Sequence, residues 1–293
     1  MHGSPASPAR LRVVTWNIRA GIGPGEPFPS AWWRHVRRDR LERIGAILAE
    51  LNPDVATLQE VAILTPDGDL LDEPAELARL TGRAVRYAAV HAFPLIEPET
   101  GRAIGMASWG NAILSRQPLV DGFAIGLPRA SDDDVVEVDD ATDPRTGRPH
   151  PLIGVRYADT EPGHREPRCV VGGSLAGVTI ATAHLTYIGR EQRRVQARAL
   201  AAIAAQQRGP LVVTGDSNAP LHATELAPLA TGGLVDALER AGLASGDPAR
   251  VTSGGAAIDH VLVRGLAVEA CRVERDTGDA SDHWPVVADL RPE

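Results

Sequence analysis

Eight short runs of apolar and β-branched residues limit what this chain can fold into. They are LRVVTW (11–16), DVATLQEV (54–61), NAILSR (111–116), CVVGGSL (169–175), VTIATAHL (178–185), PLVVTGDSN (210–218), IDHVLV (258–263) and HWPVVADL (283–290). Each has the length and residue types of a buried strand. Helical patterns lie between them. From His35 to Leu51 the residues Val36, Leu41, Ile44, Ile47, Leu48 and Leu51 fall on one helical face, with Arg and Glu on the other. Asn52 and Pro53 stop that helix, and an Ala-rich helix over Glu191–Gln207 precedes the Pro210 strand. Strand, helix, strand in that order predicts a mixed sheet with helices packed on it.

The chain has 293 residues, enough for one large α/β core, and no stretch approaches the roughly 20 apolar residues of a membrane helix. Two cysteines, Cys169 and Cys271, do not make a disulfide framework. The first ten residues, MHGSPASPAR, lack the apolar core of a secretory signal and read as a lead-in. The expectation is one unit over 11–293 in a cytoplasmic protein of undetermined oligomeric state. Between Gln117 and Pro167 the pattern degrades into an acidic, turn-rich stretch, SDDDVVEVDDATDPRTGRPHP. It reads as a solvated loop insertion, with His150 and His164 as surface histidines; the sharper alternative is a flap over a site.

Polar residues at the ends of the apolar runs carry the chemical signal. Asn17 follows Trp16, Glu60 closes the second run, and His184 closes VTIATAHL. Asp216 and Asn218 close PLVVTGDSN, Asp259 and His260 lie in IDHVLV, and Asp282 and His283 open the last run. A polar side chain in a buried strand needs a partner, and strand ends are where loops meet to form pockets. Taken singly, each has an ordinary explanation: a turn cap for Asn17, a tight turn for Asp216 and Asn218, a hydrogen-bonded core histidine for His184.

Taken together and in order, they resemble one family. VVTWNI at Val13, DVATLQEV at Asp54, GNAILSR at Gly110, TAHL at Thr182, TGDSN at Thr214, IDHVLV at Ile258 and SDHWPVVADL at Ser281 match motifs of the endonuclease/exonuclease/phosphatase superfamily. That group includes pancreatic deoxyribonuclease, abasic-site endonucleases, neutral sphingomyelinases and inositol polyphosphate 5-phosphatases. The resemblance implies a four-layer α/β sandwich, two mixed sheets face to face with helices outside. It departs from the family at Ser217, where an aromatic residue is common.

The resemblance also implies roles. Asn17 and Glu60 belong to the metal site, with Asp282 a further ligand; these are hard oxygen donors suited to Mg²⁺ or Mn²⁺. Asp216 takes a proton from, or orients, the attacking water, and Asn218 holds the substrate phosphate or that water. Asp259 fixes the tautomer of His283, which acts either as a base or as an imidazolium. His184 contacts the phosphate or assists the leaving group. His260 points to the opposite sheet face and is structural. Trp32, Trp33 and Trp109 read as core anchors more than as a substrate mouth.

The expected activity is divalent-metal-dependent hydrolysis of a phosphate ester by in-line attack of activated water. The expected substrate is a small molecule or lipid headgroup, either a monoester or a diester. A nuclease acting on DNA or RNA is the rival enzyme, and a non-catalytic scaffold of the same fold is a remote third reading. A scaffold has no use for Glu60, Asp216, Asp259 and His283 together. Against the nuclease stands the charge: 38 Asp plus Glu against 30 Lys plus Arg, net −8. The basic cluster Arg34, Arg37, Arg38 and Arg40 reads as the solvated face of a helix.

Overall fold

The computed structural model describes residues 10–25, 31–129, 142–143, 148–149, 167–187 and 189–293. The strands, in chain order, are β1 (Leu11–Asn17), β2 (Val55–Leu64), β3 (Leu71–Asp72), β4 (Ala84–Ile96), β5 (Ala103–Ser115), β6 (Val120–Leu127), β7 (Thr142–Asp143) and β8 (Arg148–Pro149). After them come β9 (Arg168–Leu175), β10 (Val178–His184), β11 (Leu211–Asp216), β12 (Val235–Asp236), β13 (Asp259–Arg264), β14 (Leu266–Val273) and β15 (Val286–Pro292). The helices are α1 (Arg38–Leu51), α2 (Glu73–Thr81), α3 (Arg190–Gln206), α4 (Ala227–Ala230) and α5 (Ala237–Arg240).

One sheet runs β14–β15–β1–β2–β5–β4, with β3 beside β2; the other runs β12–β13–β11–β10–β9–β6. β1 and β2 pair in parallel, as do β10 and β11, while the other pairs are antiparallel, so both sheets are mixed. Alternation along the strands sorts side chains into layers. Val13, Val55, Ile113, Val171, Ile180, Val212, Val261 and Val286 meet between the sheets. Their neighbours Val14, Ala56, Ala112, Leu114 and Val287 face outward onto Leu41, Ile44 and Leu48 of α1 and Leu77 of α2. Val170, Ala181, Leu211, Val213 and Leu262 face outward from the second sheet onto Ala197, Leu200 and Ala204 of α3 and Leu229 of α4. Each such buried Val, Ile or Leu stabilises by about 1.5–3 kcal/mol. The result is the expected four-layer α/β sandwich. No helix among the described residues is long and apolar enough to cross a membrane.

Several local features differ from the sequence expectations. α1 begins at Arg38, and Trp32–His35 form a single 3₁₀ turn before it. Trp32 is buried and stands edge-on to Trp109, with centroids 4.8 Å apart. α1 ends where expected, on Asn52 in the left-handed region with its N–H on the Leu48 carbonyl. Arg40 is not on a solvated face: it is buried, donates to the Gly21 and Ile22 carbonyls, and lies 3.6 Å from Asp279. β6 occupies the start of the stretch expected to be irregular, as an edge strand on β9. Most of the remainder of 117–167, including His150 and His164, lies outside the described residues.

The inner faces turn polar toward one end. Along β1 they read Val13, Thr15, Asn17; along β2, Val55, Thr57, Gln59; along β10, Ile180, Thr182, His184; along β11, Val212, Thr214, Asp216. The middle tier is hydrogen-bonded between sheets. The Thr57 and Thr214 hydroxyls are 2.8 Å apart, and Gln59 Nε2 donates to Thr182 Oγ1 at 2.9 Å and to Thr15 Oγ1 at 3.1 Å. Buried polar groups are tolerated when paired in this way. The tier joins the apolar core to the polar strand ends above it.

Glu73, the first residue of α2, is fully buried, and its Oε2 accepts the Ala62 N–H at 2.8 Å. Burial pushes its carboxyl up to about 8, aided by the charge of Asp72 and opposed by the Ala62 N–H. A carboxyl held above its unfolded value stabilises the fold fully below about pH 4.5, and that contribution fades as pH rises toward 8. Chemical denaturation at pH 5, 6.5 and 8 should therefore show wild-type stability falling relative to Glu73→Gln. A difference between the two proteins that does not change with pH would refute this.

Candidate active site

A bulge in β2 brings the first carboxylate inward. The pairing of β2 with β5 slips between Leu58 and Val61, and both of those residues pack outward in the helix-facing core. Gln59 and Glu60 occupy the slip. Gln59 reaches the opposite sheet through Thr182, and Glu60 Oε1 accepts from Asn17 Nδ2 at 2.9 Å. Glu60 adopts φ +54°, a left-handed conformation that costs a non-glycine residue about 1–2 kcal/mol. In a regular strand the residue after Gln59 would face the helices.

The second sheet supplies the opposite wall. Parallel β10 and β11 end in register, with His184 beside Asp216, and Asp216 pairs across to Asp259 at the start of β13. Gly215 makes that close approach feasible: at φ +135°, a Cβ there would lie 1.8 Å from the Ala183 carbonyl oxygen. Past the strand, Asn218 at φ +51° gives its backbone N–H to Asp216 Oδ1 at 2.8 Å. Its side-chain amide donates to the Leu185 carbonyl and to His184 Nε2, both at 2.9 Å. That bond assigns the ring proton of His184 to Nδ1, which faces Glu60 Oε1 at 4.0 Å.

The segment before β15 is clamped onto β1. Ser281 Oγ donates to the Asn17 carbonyl at 2.7 Å, and Trp16 Nε1 donates to the His283 carbonyl at 2.9 Å. His283 Nδ1 then bonds Asp259 Oδ2 at 2.8 Å, leaving Nε2 3.8 Å from Asp216 and 4.0 Å from Asp282. Asn17 joins the two sheets: Nδ2 donates to both Glu60 and Asp216, at 2.9 and 3.0 Å. Its Oδ1, the atom expected to face a metal, accepts the Arg19 N–H at 3.0 Å. All eight residues singled out in the sequence thus lie in one connected set of contacts. His260 sits on the other face of β13 with Nε2 3.0 Å from the Ala219 carbonyl oxygen.

Arg19 was not anticipated. Its buried guanidinium stands 3.6 Å from Asp282, and Nη1 donates to the Gly23 carbonyl. Its one sequence signal was its place two residues after Asn17, in a Gly-rich segment that carried no periodicity.

Burial dominates the electrostatics. It raises the Asp216 carboxyl, and the neighbouring Asp259 charge raises it further, against His283, Asn17 and the Asn218 N–H. Burial alone would lower His283, but the charge and hydrogen bond of Asp259, with Asp216 and Asp282, push it up to about 10. His283 is accordingly an imidazolium at neutral pH, hydrogen-bonded to one carboxylate and near two others.

A divalent cation suits this donor set. Asp216, Asp259 and His283 offer ligand atoms within 4.8 Å of one another, and Asp259 Oδ1 is buried without a hydrogen-bond partner among the described residues. Glu60 and Asp282 add carboxylates at the more open side, with side chains 19% and 15% exposed. Four acidic groups around two imidazoles leave negative charge to be neutralised. Because Asp259 and His283 direct facing atoms at each other, the Glu60 side is the freer of the two.

The β10–β11 junction generates a test. Gly215→Ala should destabilise the protein by at least about 2 kcal/mol, because it adds a backbone clash to a disfavoured φ. Unchanged denaturation midpoints would show that the two strands do not need this approach.

The sequence matches the Endonuclease/Exonuclease/phosphatase family over residues 14–283, a span that contains all eight residues. No curated protein matches it significantly. Among solved structures, an endonuclease/exonuclease/phosphatase from Beutenbergia cavernae is 24% identical with a TM-score of 0.67, covering 97% of this chain and 72% of that one. A mannosyl-6-phosphatase of Bacteroides thetaiotaomicron is 18% identical at TM-score 0.58, covering 96% and 99%. The D. rerio TDP2, solved with a single strand DNA product, is 16% identical at TM-score 0.58, covering 97% and 99%. The chain belongs to the endonuclease/exonuclease/phosphatase family and is a metal-dependent phosphoric ester hydrolase.

Proposed function

We propose that this enzyme hydrolyses a compact phosphate ester, in a small molecule or lipid headgroup, with Mg²⁺ or Mn²⁺. The observation that carries the reading is the Asp259–His283–Asp216 line meeting Glu60 through Asn17. Glu60 and Asp282 hold the cation, with Asn17 fixing Glu60 in place. The cation, when bound, neutralises the non-bridging oxygens of the substrate.

The remaining roles follow from protonation and geometry. Asp216, its basicity raised by burial, accepts a proton from the attacking water, and Asn218 orients that water or the phosphate. His283, held as an imidazolium by Asp259, stabilises charge developing on the phosphoryl oxygens. His184, with its proton on Nδ1, donates to the phosphate or the leaving oxygen.

Charge supports the compact substrate. The basic cluster before and at the start of α1 is largely paired: Arg34 with Glu99 at 2.6 Å, Arg37 with Asp39 at 2.5 Å, and Arg40 faces Asp279. Few of these guanidinium groups are left to replace counterions along a polyanion. The fold itself hosts both chemistries, one neighbour being a mannosyl-6-phosphatase and another a TDP2 solved with DNA, so it does not choose between them.

Chelation should abolish activity and Mg²⁺ or Mn²⁺ should restore it; full activity in chelator would sink the mechanism. Glu60→Gln should weaken cation affinity and rate together, while Asp216→Asn and His283→Ala should each cost on the order of 10²–10⁴ in turnover. A separate comparison decides the substrate class. Small phosphate esters and plasmid DNA are assayed side by side at low and moderate salt. Efficient nicking with a steep inverse salt dependence, and poor turnover of every small ester, would favour the nuclease.

A further inference from the structure

We infer that Glu73, which touches neither substrate nor cation, is a positioning residue that holds the β2 bulge and so aims Glu60 into the cleft. The inference rests on the proposal that Glu60 holds the cation.

The pattern of backbone pairing around the bulge points to it. On one side of β2, β1 ends with Asn17 paired to Gln59, and the Ile18 N–H continues only as far as the Gln59 carbonyl. On that side the ladder resumes at Ile63, which pairs with Asp72 of β3. Between these points lie Glu60, Val61 and Ala62. Ala62 is completely buried, so its N–H has no access to water. The Glu73 carboxyl fills the gap by accepting that N–H at 2.8 Å.

Position makes the contact more than a generic hydrogen bond. Glu60 is in the left-handed region, and such a conformation persists only where its surroundings over-determine it. Before the bulge, Gln59 is fixed by Thr15 and Thr182. After it, Ala62 is fixed by Glu73, and Tyr87 Oη donates to the Val61 carbonyl at 3.4 Å. Removing the Glu73 acceptor leaves a buried N–H unpaired. The strand can recover a partner by shifting, and any shift there moves Glu60.

Glu73 is also an unusual choice for a purely structural acceptor. Its second oxygen, Oε1, is buried with no hydrogen-bond partner among the described residues. Only the oxygen facing Ala62 is used, so an amide in the same place should serve. This separates loss of the acceptor from loss of the acid.

The test measures cation binding directly, on the full chain, by titrating Mn²⁺ and reading Kd calorimetrically or by electron paramagnetic resonance. Glu73→Leu should weaken Mn²⁺ binding by about 10–100-fold, the usual effect of losing a group that orients a ligand. Glu73→Gln should stay within about threefold of wild type, because it still accepts from Ala62. If Glu73→Leu does not fold, Glu73→Asp replaces it: the shortened side chain withdraws the acceptor and should also weaken binding. A folded Leu or Asp variant with wild-type Kd would overturn the inference, and so would a Gln variant as impaired as Leu. Glu60→Gln is the control. If it leaves Mn²⁺ binding unchanged, the assignment of the cation to Glu60 has failed, whereas a weakened Glu60→Gln beside an unaffected Glu73→Leu rejects only the role of Glu73.

Discussion

The central strands of both sheets are buried on both faces, so every polar side chain on their inner surfaces must find a partner within its own sheet or on the facing one. Four strands, β1, β2, β10 and β11, obey this in tiers: aliphatic pairs, then hydroxyls and one amide, then the carboxylates and imidazoles of the site. The middle tier matters because it satisfies donors and acceptors where water cannot enter. Without it, the polar strand ends would sit directly on an apolar core, with no fixed orientation. The Thr57–Thr214 and Gln59–Thr182 contacts also tie the two sheets together immediately below the residues of the candidate site.

Charge is the second consequence of that burial. Asp216 and His283 are each nearly inaccessible, and burial alone would favour the neutral form of each. The short Asp259–His283 hydrogen bond resolves this in favour of an ion pair, while Asp216 retains a raised affinity for protons. A site so rich in carboxylates is matched to a cation and to an anionic ester. Arg19 beside Asp282 is the nearest compensating guanidinium shown.

Local irregularity does the aiming. Glu60 and Asn218 both adopt left-handed backbone conformations, one within a bulge and one just past a strand, and both direct side chains to the cleft. Regular alternation would have sent Glu60 to the helices. Strain of this kind is maintained by contacts on either side, Gln59 before and Ala62 after, which is why a residue in α2 bears on a site it does not touch.

Much of this was legible in the sequence. The apolar runs marked the central strands, the helix after β1 followed from its periodicity, and the polar residues closing the runs named the members of the cleft. Those signals are local: composition and period report that a segment is buried, and chain order reports which residue types end it. What they do not report is the neighbour. β4, β6 and β14 were missed because edge and hairpin strands have one face or one side in water and so lack a sustained apolar run. Arg40 was misplaced because a helical wheel cannot know that the loop after β1 folds over it to present carbonyls. Glu73 carried no signal, and Arg19 only its nearness to Asn17, since each acquires meaning from a partner brought to it by the fold, Asp282 for Arg19 and the Ala62 N–H for Glu73. The sequence by itself determined which residues had to be buried and which polar groups would stand at the strand ends. Only the tertiary structure decided which faces met, because pairing across two sheets depends on contacts between residues far apart in the chain.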